Sequence, residues 1–293
     1  MDFLTNLING ISLGSIYAII ALGYTMVYGI AKMLNFAHGD VIMVGSYVCF
    51  VAMNSLGLSP LVGVLLAVAA CTCLGIVIER LAYKPLRQTA SLAVLITAIG
   101  VSYFLQNAAQ LIWGADPKSF TSVIPFPSVT LFDGQLVISS VTIVTVLASV
   151  VVMVLLALFV SKTKLGKAMR ACSEDKGAAQ LMGINVDATI SMVFGIGSGL
   201  AAIAGVLLCS AYPTLMPTTG AMPGIKAFTA AVFGGIGSIP GAALGGLLLG
   251  IIEVFTKAYI STELADAIVF ALLIVVLVIR PAGLLGKVSH EKV

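Results

Sequence analysis

The sequence predicts an all-α protein that crosses a membrane several times as a single domain over residues 1–293. Apolar residues make up 60% of the 293-residue chain and charged residues only 9%, whereas soluble domains carry about 25% charged residues. Long stretches without Asp, Glu, Lys or Arg follow one another along the chain, and a membrane span needs about 20 such residues. This composition excludes a soluble globular protein, a disordered chain and a nucleic-acid-binding protein.

The charge-free stretches predict about eight long transmembrane helices and one short broken helix. The first helix lies near residues 8–28, and residues 41–78 are long enough for two helices, with a break at 54–60. Trp113 is the expected interface anchor at the end of the fourth helix. The remaining long helices are expected within the following stretches: 88–115, 134–161, 188–225, 226–258 and 264–279.

Lysine and arginine positions predict the orientation. Segments 79–91 and 161–187 and the C-terminal tail are rich in these residues, which favours the cytoplasmic side. Segment 114–136 is poor in them and is the expected external loop, with an Asp133-Gly134 hairpin signal. The N-terminus is therefore expected outside and the C-terminus in the cytoplasm.

The run 226–258 holds the predicted broken helix. An odd number of crossings must connect the external residue 211 to the cytoplasmic tail, yet this run is too long for one span and too short for two. A short helix, a glycine-rich turn at 234–241 and a full helix satisfy that parity, and broken helices are typical of transport pathways. A tight loop between two short helices remains the alternative. Glycines spaced by four residues in this run predict close helix packing: Gly241, Gly245, Gly246 and Gly250.

Residues that could carry chemistry are few. The sequence contains no P-loop, zinc-ligand pair or nucleophile elbow, and its only histidines are His38 and His290. Glu253 and Lys257 have the spacing of a helical ion pair. The sequence thus predicts a protein that is not an enzyme and holds no cofactor or metal, so it needs another energy source or is a passive channel.

Two polar segments have candidate roles. Residues 34–40 (LNFAHGD) place polar groups at the expected cytoplasmic mouth. Asp40 suits the N-cap of the second helix, with a turn at Gly39. Alternatively, the segment shapes the entrance or gate of a pathway. Residues 164–184 form two short amphipathic pieces. Such a surface fits a partner's groove or, alternatively, lies on anionic lipid.

Three stretches together resemble a known family: residues 34–40, the 166–184 segment and residues 233–242 (FGGIGSIPGA). The chain is similar to the LivH-type permease subunits of bacterial branched-chain amino acid ABC importers, and the match runs from the first helix to residues 280–286 (RPAGLLG).

The resemblance implies a bacterial cytoplasmic-membrane importer for leucine, isoleucine and valine. A second, LivM-type permease would pair with this chain, two cytoplasmic ATPases would hold ATP and Mg, and an external binding protein would deliver the amino acid. Permeases for another amino acid, urea or short amides belong to the same wider family and remain alternatives. A self-sufficient channel or secondary carrier is the alternative from another class.

The resemblance also gives site residues, although the substrate contacts stay unknown. Segment 161–187 would be the coupling loop, with Gly166 and Gly183 allowing tight turns and Arg170 and Asp175 touching an ATPase or fixing the loop. The coupling set is Gly166, Arg170, Ala171, Asp175, Ala178 and Gly183. The pathway or gate set is Asn35, His38, Gly39, Asp40, Gly234, Gly235, Gly237, Ser238 and Pro240.

Overall fold

The computed structural model describes residues 2–87, 89–131 and 136–286, and most of these residues are helical. The α-helices in these ranges are α1 (Asp2–Ala31), α2 (His38–Asn54), α3 (Pro60–Ile78), α4 (Ser91–Trp113), α5 (Ser140–Lys162), α6 (Lys164–Glu174), α7 (Lys176–Leu181), α8 (Val186–Ala211), α9 (Ala221–Gly234), α10 (Ile239–Tyr259) and α11 (Ala265–Ile279). A π-helical turn, Glu79–Tyr83, and a 3-10 turn, Lys84–Leu86, continue α3.

Six of the described helices are long and apolar enough to cross a membrane. They are α1, α3 with its extension to Leu86, α4, α5, α8 and α10. Helices α2 and α11 are shorter, at 17 and 15 residues. The predicted membrane protein with several helical spans is therefore confirmed.

Helix α1 forms the centre of the bundle. Its side chains are buried from residue 12 to residue 27, and it packs against α5, α8, α9 and α10. By contrast, α4 and α5 expose many large apolar side chains, including Leu111 and Leu155. Such faces suit lipid or a partner span rather than water.

Within the described ranges, four short strands lie between the helices. Strand β1 (Lys118–Ser119) pairs antiparallel with β4 (Thr214–Leu215), and β2 (Val129–Leu131) pairs antiparallel with β3 (Leu136–Ile138). The β2–β3 pair confirms the predicted hairpin, although the Asp133-Gly134 turn lies outside the described residues. The β1–β4 pair ties the 114–136 segment to the chain that enters α9.

The broken helix has the predicted form. Helix α9 has 14 residues and ends at Gly234, the glycine-rich turn follows, and α10 has 21 residues. The turn contains Gly235 at φ +108° and Gly237 at φ +94°, a backbone region that favours glycine. A short helix, a turn and a full helix, rather than two short helices, occupy this part of the chain.

The glycines of α10 permit close packing on two sides. A Cβ at Gly245 would lie 2.1 Å from the Ala230 carbonyl of α9, and one at Gly250 would lie 2.1 Å from the Gly14 amide of α1. The four-residue spacing therefore serves two neighbouring helices, as small residues do at helix interfaces in membranes.

Candidate functional site

Helices α6 and α7 form the predicted coupling segment at one end of the bundle. Thr163 ends α5 and caps α6, because its hydroxyl accepts a hydrogen bond from the Gly166 amide at 2.9 Å. A Cβ at Gly166 would lie 2.3 Å from the Phe159 carbonyl. Gly166 thus lies in the first turn of α6, and its lack of a Cβ allows α6 to fold back tightly against α5.

Asp175 is a helix cap. Its side chain accepts a hydrogen bond from the Ala178 amide at 3.0 Å and starts α7. Gly183 follows α7 at φ +83°, which confirms its predicted turn. Arg170 is exposed and donates a 3.4 Å hydrogen bond to the Ser161 carbonyl. Asp175 therefore fixes the segment, whereas Arg170 is available to a partner.

A groove of about 560 Å³ runs along α6 and α7. Its floor is apolar, and its rim carries lysines on α6 and acids at the junction of the helices. Leu181, beside the groove, is 91% exposed, and Met182, in its lining, is 82% exposed. Three residues of the coupling set line the groove: Ala171, Asp175 and Ala178. The full lining is Lys164, Lys167, Ala168, Ala171, Glu174, Asp175, Ala178, Ala179, Met182 and Ile184.

The opposite face of the segment holds it to the bundle. Met169 and Cys172 are buried, and Lys176 donates a hydrogen bond to the Ala31 carbonyl at the end of α1, at 2.8 Å. Burial, with the charges of Arg87 and Lys32, lowers the pKa of the Lys176 ammonium. Burial raises the pKa of the Cys172 thiol, so this thiol is a packing group rather than a nucleophile.

Five of the seven residues in segment 34–40 are buried rather than open at a mouth, and Leu34 and Phe36 are half-buried. Asn35 accepts a 2.9 Å hydrogen bond from the Tyr83 hydroxyl. His38 stacks edge-on with Tyr24 at 4.5 Å between ring centroids, and its Nε2 has no partner among the described residues. A Cβ at Gly23 would lie 2.6 Å from that nitrogen, so no room for a ligand exists there.

Asp40 is not the N-cap of α2. The helix begins at His38, and Ala37 occupies the cap position without a side-chain hydrogen bond. Asp40 instead lies in the first turn and accepts a 2.8 Å hydrogen bond from Gln106 of α4. The Asp40 carboxylate therefore has its hydrogen-bond partner on the neighbouring helix α4. The local sequence does not predict this contact.

The starts of α2 and α9 touch through glycines. A Cβ at Gly39 would lie 2.7 Å from the Gly220 carbonyl, and one at Gly224 would lie 2.7 Å from the Gly39 α-carbon. A small cavity of about 10 Å³, lined by Tyr28, Asn35 and Ile236 among others, separates the 34–40 segment from the glycine-rich turn. That volume is about the size of one water, so the two segments lie next to each other with little space between them.

The glycine-rich turn is covered by the chain after α11. Leu284 and Leu285 donate backbone hydrogen bonds of 2.9 Å to the carbonyls of Phe233 and Gly234. A Cβ at Gly235 would lie 2.3 Å from the Gly286 amide. Ser238 caps α10 through the Gly241 amide at 3.2 Å, and Pro240 follows in the first turn. These contacts shape the turn. A Cβ at Gly237 would meet no described residue within 4 Å.

Sequence reasoning missed a buried ion pair near the coupling segment. Glu79 is fully buried, and its carboxylate accepts hydrogen bonds from Arg87 and Ser191. Arg87 also binds Asp187 at the start of α8, which pairs with Lys84 at 2.8 Å. The pair Glu79–Arg87 spans eight residues through the π-helical turn, a spacing outside the usual helical pattern.

A second charge network lies at the opposite end of the bundle. The Glu253 carboxylate accepts hydrogen bonds from Lys226 at 2.8 Å, Lys257 at 2.6 Å and the Tyr17 hydroxyl at 2.8 Å. Lys226 also pairs with Asp266 at 2.6 Å. We call these five residues the buried charge cluster. The predicted Glu253–Lys257 pair is confirmed, but the lysine on α9 gave no helical-spacing signal.

The described residues contain no group of three or more His, Cys, Asp and Glu side chains that could hold a metal ion. The described residues form a helical bundle with the groove of α6 and α7 at one end and the charge network around Glu253 at the other.

A family comparison decides the class of the chain. Residues 6–277 match the family model described as branched-chain amino acid transport system / permease component. The chain belongs to this permease family. The sequence-based resemblance is therefore confirmed over nearly the whole chain.

Individual relatives agree with the family match. The permease is 46% identical over 309 residues to the high-affinity branched-chain amino acid transport system permease protein LivH of Escherichia coli K12, covering 99% of this chain and 98% of the relative. It is 46% identical over 302 residues, with the same coverage, to the corresponding protein BraD of Pseudomonas aeruginosa. A probable branched-chain amino acid permease of Methanocaldococcus jannaschii is 29% identical over 93% of this chain and 89% of its own length.

Proposed function

We propose that this permease is a translocation subunit of an ATP-driven importer for leucine, isoleucine and valine in the bacterial cytoplasmic membrane. The observation that carries the proposal is the groove on α6 and α7, which offers a partner an apolar floor, a charged rim and exposed Leu181 and Met182. The sequence has no P-loop, so ATP binding falls to that partner. The names of the relatives support the substrate class.

The proposed topology has eight long spans, formed by α1–α5, α8, α10 and α11. The short helix α9 carries the chain from the external side to the glycine-rich turn and counts as a ninth crossing. The N-terminus lies outside and the C-terminus lies in the cytoplasm. Support comes from the lysines and arginines in segments 79–91 and 161–187 and in the tail, since basic short loops stay in the cytoplasm.

The proposed assembly contains a second, LivM-type permease, two cytoplasmic ATPases and an external binding protein. ATP and Mg are held by the ATPases, and this chain supplies half of the pathway. The exposed apolar faces of α4 and α5 suit a partner span or lipid.

The contacts of α6 and α7 suggest how ATP energy enters the bundle. Gly166 holds α6 against the end of α5, and Lys176 holds α7 against the end of the central helix α1. A movement of the ATPases therefore displaces the ends of α1 and α5 together. The 34–40 segment and the glycine-rich turn close on each other nearby, and their separation would open the pathway.

The double variant R170A/D175A tests the coupling role. We expect substrate-stimulated ATP hydrolysis and amino acid uptake to fall together, because an exposed contact and the cap of α7 are both lost. Membrane insertion should stay intact, as measured by the amount of full-length protein in the membrane. The matched control is Lys118→Ala, a charge removed at the opposite end. Unchanged stimulation in the double variant would contradict the docking of this segment on an ATPase.

Two substitutions at Asp175 separate capping from charge. Replacing an N-cap aspartate with alanine costs about 1 kcal/mol of helix stability, whereas asparagine still caps. We therefore expect Asp175→Ala to lower stimulated ATP hydrolysis and Asp175→Asn to keep most of it. Equal losses in both variants would show that the carboxylate charge, not the cap, matters.

The alternative functions differ in whether an ATPase purifies together with this chain. If it purifies without an ATPase and moves solute in liposomes without ATP, it is a channel or secondary carrier. If ATPases are present, screening the associated binding protein with amino acids, urea and short amides identifies the substrate.

A further inference from the structure

The buried charge cluster borders a cavity of about 250 Å³ at the end of the bundle opposite α6 and α7. This volume is far above the ~10–15 Å³ that admits a single water. Tyr17, Lys226, Glu253 and Lys257 line it together with apolar side chains. The Lys257 side chain is 40% exposed, whereas those of Lys226 and Glu253 are 7% and 2% exposed. The cavity thus leads from the surface to a buried ion pair.

The cluster brings together four helices with balanced charge. Two lysines face two acids, Glu253 and Asp266, so the formal charges sum to zero. Removing such charges from water is costly, and ionisable groups within the membrane are by default functional candidates. A purely structural contact among α1, α9, α10 and α11 needs only apolar side chains, and it needs no cavity beside the charges.

We propose that this cavity binds a free zwitterionic α-amino acid on its way into the permease. The proposal rests on the proposed importer function and assigns the site at which the substrate first meets this chain. The ligand's carboxylate binds Lys257 and Lys226, and its ammonium binds Glu253. Tyr17 and Asp266 position Glu253 and Lys226. The aliphatic side chain lies against three residues of the apolar wall: Leu13, Leu208 and Met222.

Charge balance explains why the ligand must be a zwitterion. A ligand with both charges exchanges partners within the Lys257–Glu253 pair and leaves no buried charge alone. A ligand with one charge, or none, separates the pair without replacing both partners, which is costly in a buried site. The cavity therefore selects against urea and amides and favours amino acids with apolar side chains.

The first test uses the complete transporter with its binding protein in proteoliposomes, with leucine uptake and ATP hydrolysis measured together. Lys257→Gln removes the partly exposed lysine, while Glu253 keeps Lys226 and Tyr17. We expect the amount of leucine moved per ATP hydrolysed to fall about tenfold, because the loss of one hydrogen bond to a charged group weakens binding by about that factor. Lys257→Arg should restore most of it. Glu263→Gln, an exposed acid at the same end, is the matched control.

The second test needs no variant. Lysine acylation of the wild-type transporter, followed by peptide mass spectrometry, compares Lys257 with Lys118, which lies outside the cavity. Leucine should protect Lys257 relative to Lys118. The probe 3-methylbutylamine, which has the same amine and side chain but no carboxylate, should not protect it.

The outcomes separate this inference from the proposed function. An assembled Lys257→Gln transporter with an unchanged ratio of leucine to ATP would show that the cluster is only a structural clamp. Equal labelling of Lys257 with leucine and with 3-methylbutylamine would also overturn the inference. Neither result affects the importer function, which fails instead if the wild-type transporter shows no ATP-dependent uptake.

Discussion

Replacing Gly250 with alanine is expected to destabilise the helix bundle strongly. The new Cβ would lie 2.1 Å from the Gly14 amide nitrogen and 2.2 Å from its α-carbon. The obstacle is backbone, which cannot rotate away, so α1 and α10 must separate along their contact. Overpacking of this kind costs about 1–3 kcal/mol or more, and α1 is the central helix of the bundle.

The measurement is the amount of folded protein in the membrane and its unfolding temperature in detergent. Gly100→Ala is the matched control, because a Cβ at this position of α4 would meet none of the described residues within 4 Å. Alanine is favoured over glycine within a helix by ~0.5–1 kcal/mol, so the control should be as stable as the parent or more stable. Normal folding of the Gly250→Ala protein would contradict the close approach of α1 and α10.

Replacing Arg87 with alanine is expected to cost about 3–5 kcal/mol, because it leaves the buried Glu79 carboxylate without its cation. The Ser191 hydroxyl would remain as its hydrogen-bond donor. The link between the end of α3 and the start of α8 through Asp187 would also be lost. We expect a large fall in the unfolding temperature.

A double variant that removes both charges tests whether the unpaired Glu79 carboxylate causes the loss of stability. Glu79→Gln combined with Arg87→Met removes both charges and should recover much of the lost stability, since replacing both members of a buried pair is often nearly neutral. Arg80→Ala, an exposed neighbour, should have little effect. If Arg87→Ala and Arg80→Ala behaved alike, the buried pair would not be a stabilising contact.

The spans could be predicted from sequence because hydrocarbon thickness dictates their length. The fourth helix ends at Trp113 as expected, and there the indole stacks on Tyr47 at 4.5 Å between ring centroids. The broken helix followed from counting crossings between residue 211 and the tail. Thr163 and Asp175 are residue types that favour the N-cap, although neither was predicted as the cap of α6 or α7.

Other site features depend on packing that one sequence does not specify. Lys226 meets Glu253 from 27 residues away only because α9 folds back beside α10. Aspartate is a residue type that favours the N-cap, but α2 starts before Asp40, at His38. The Asp40 carboxylate accepts a hydrogen bond from Gln106 of α4 instead. The Glu79–Arg87 pair requires the π-helical turn, which no spacing rule predicted.

The most direct test of the account is photo-crosslinking from position 181 in native membranes. A photoreactive amino acid replaces Leu181, which is 91% exposed beside the groove, and mass spectrometry identifies the captured protein. Leu111, 87% exposed on the spanning helix α4, is the control position. We expect a P-loop ATPase to be captured from position 181 and not from position 111. Capture of lipid alone from position 181, together with solute movement in liposomes without ATP, would contradict an ATP-driven importer.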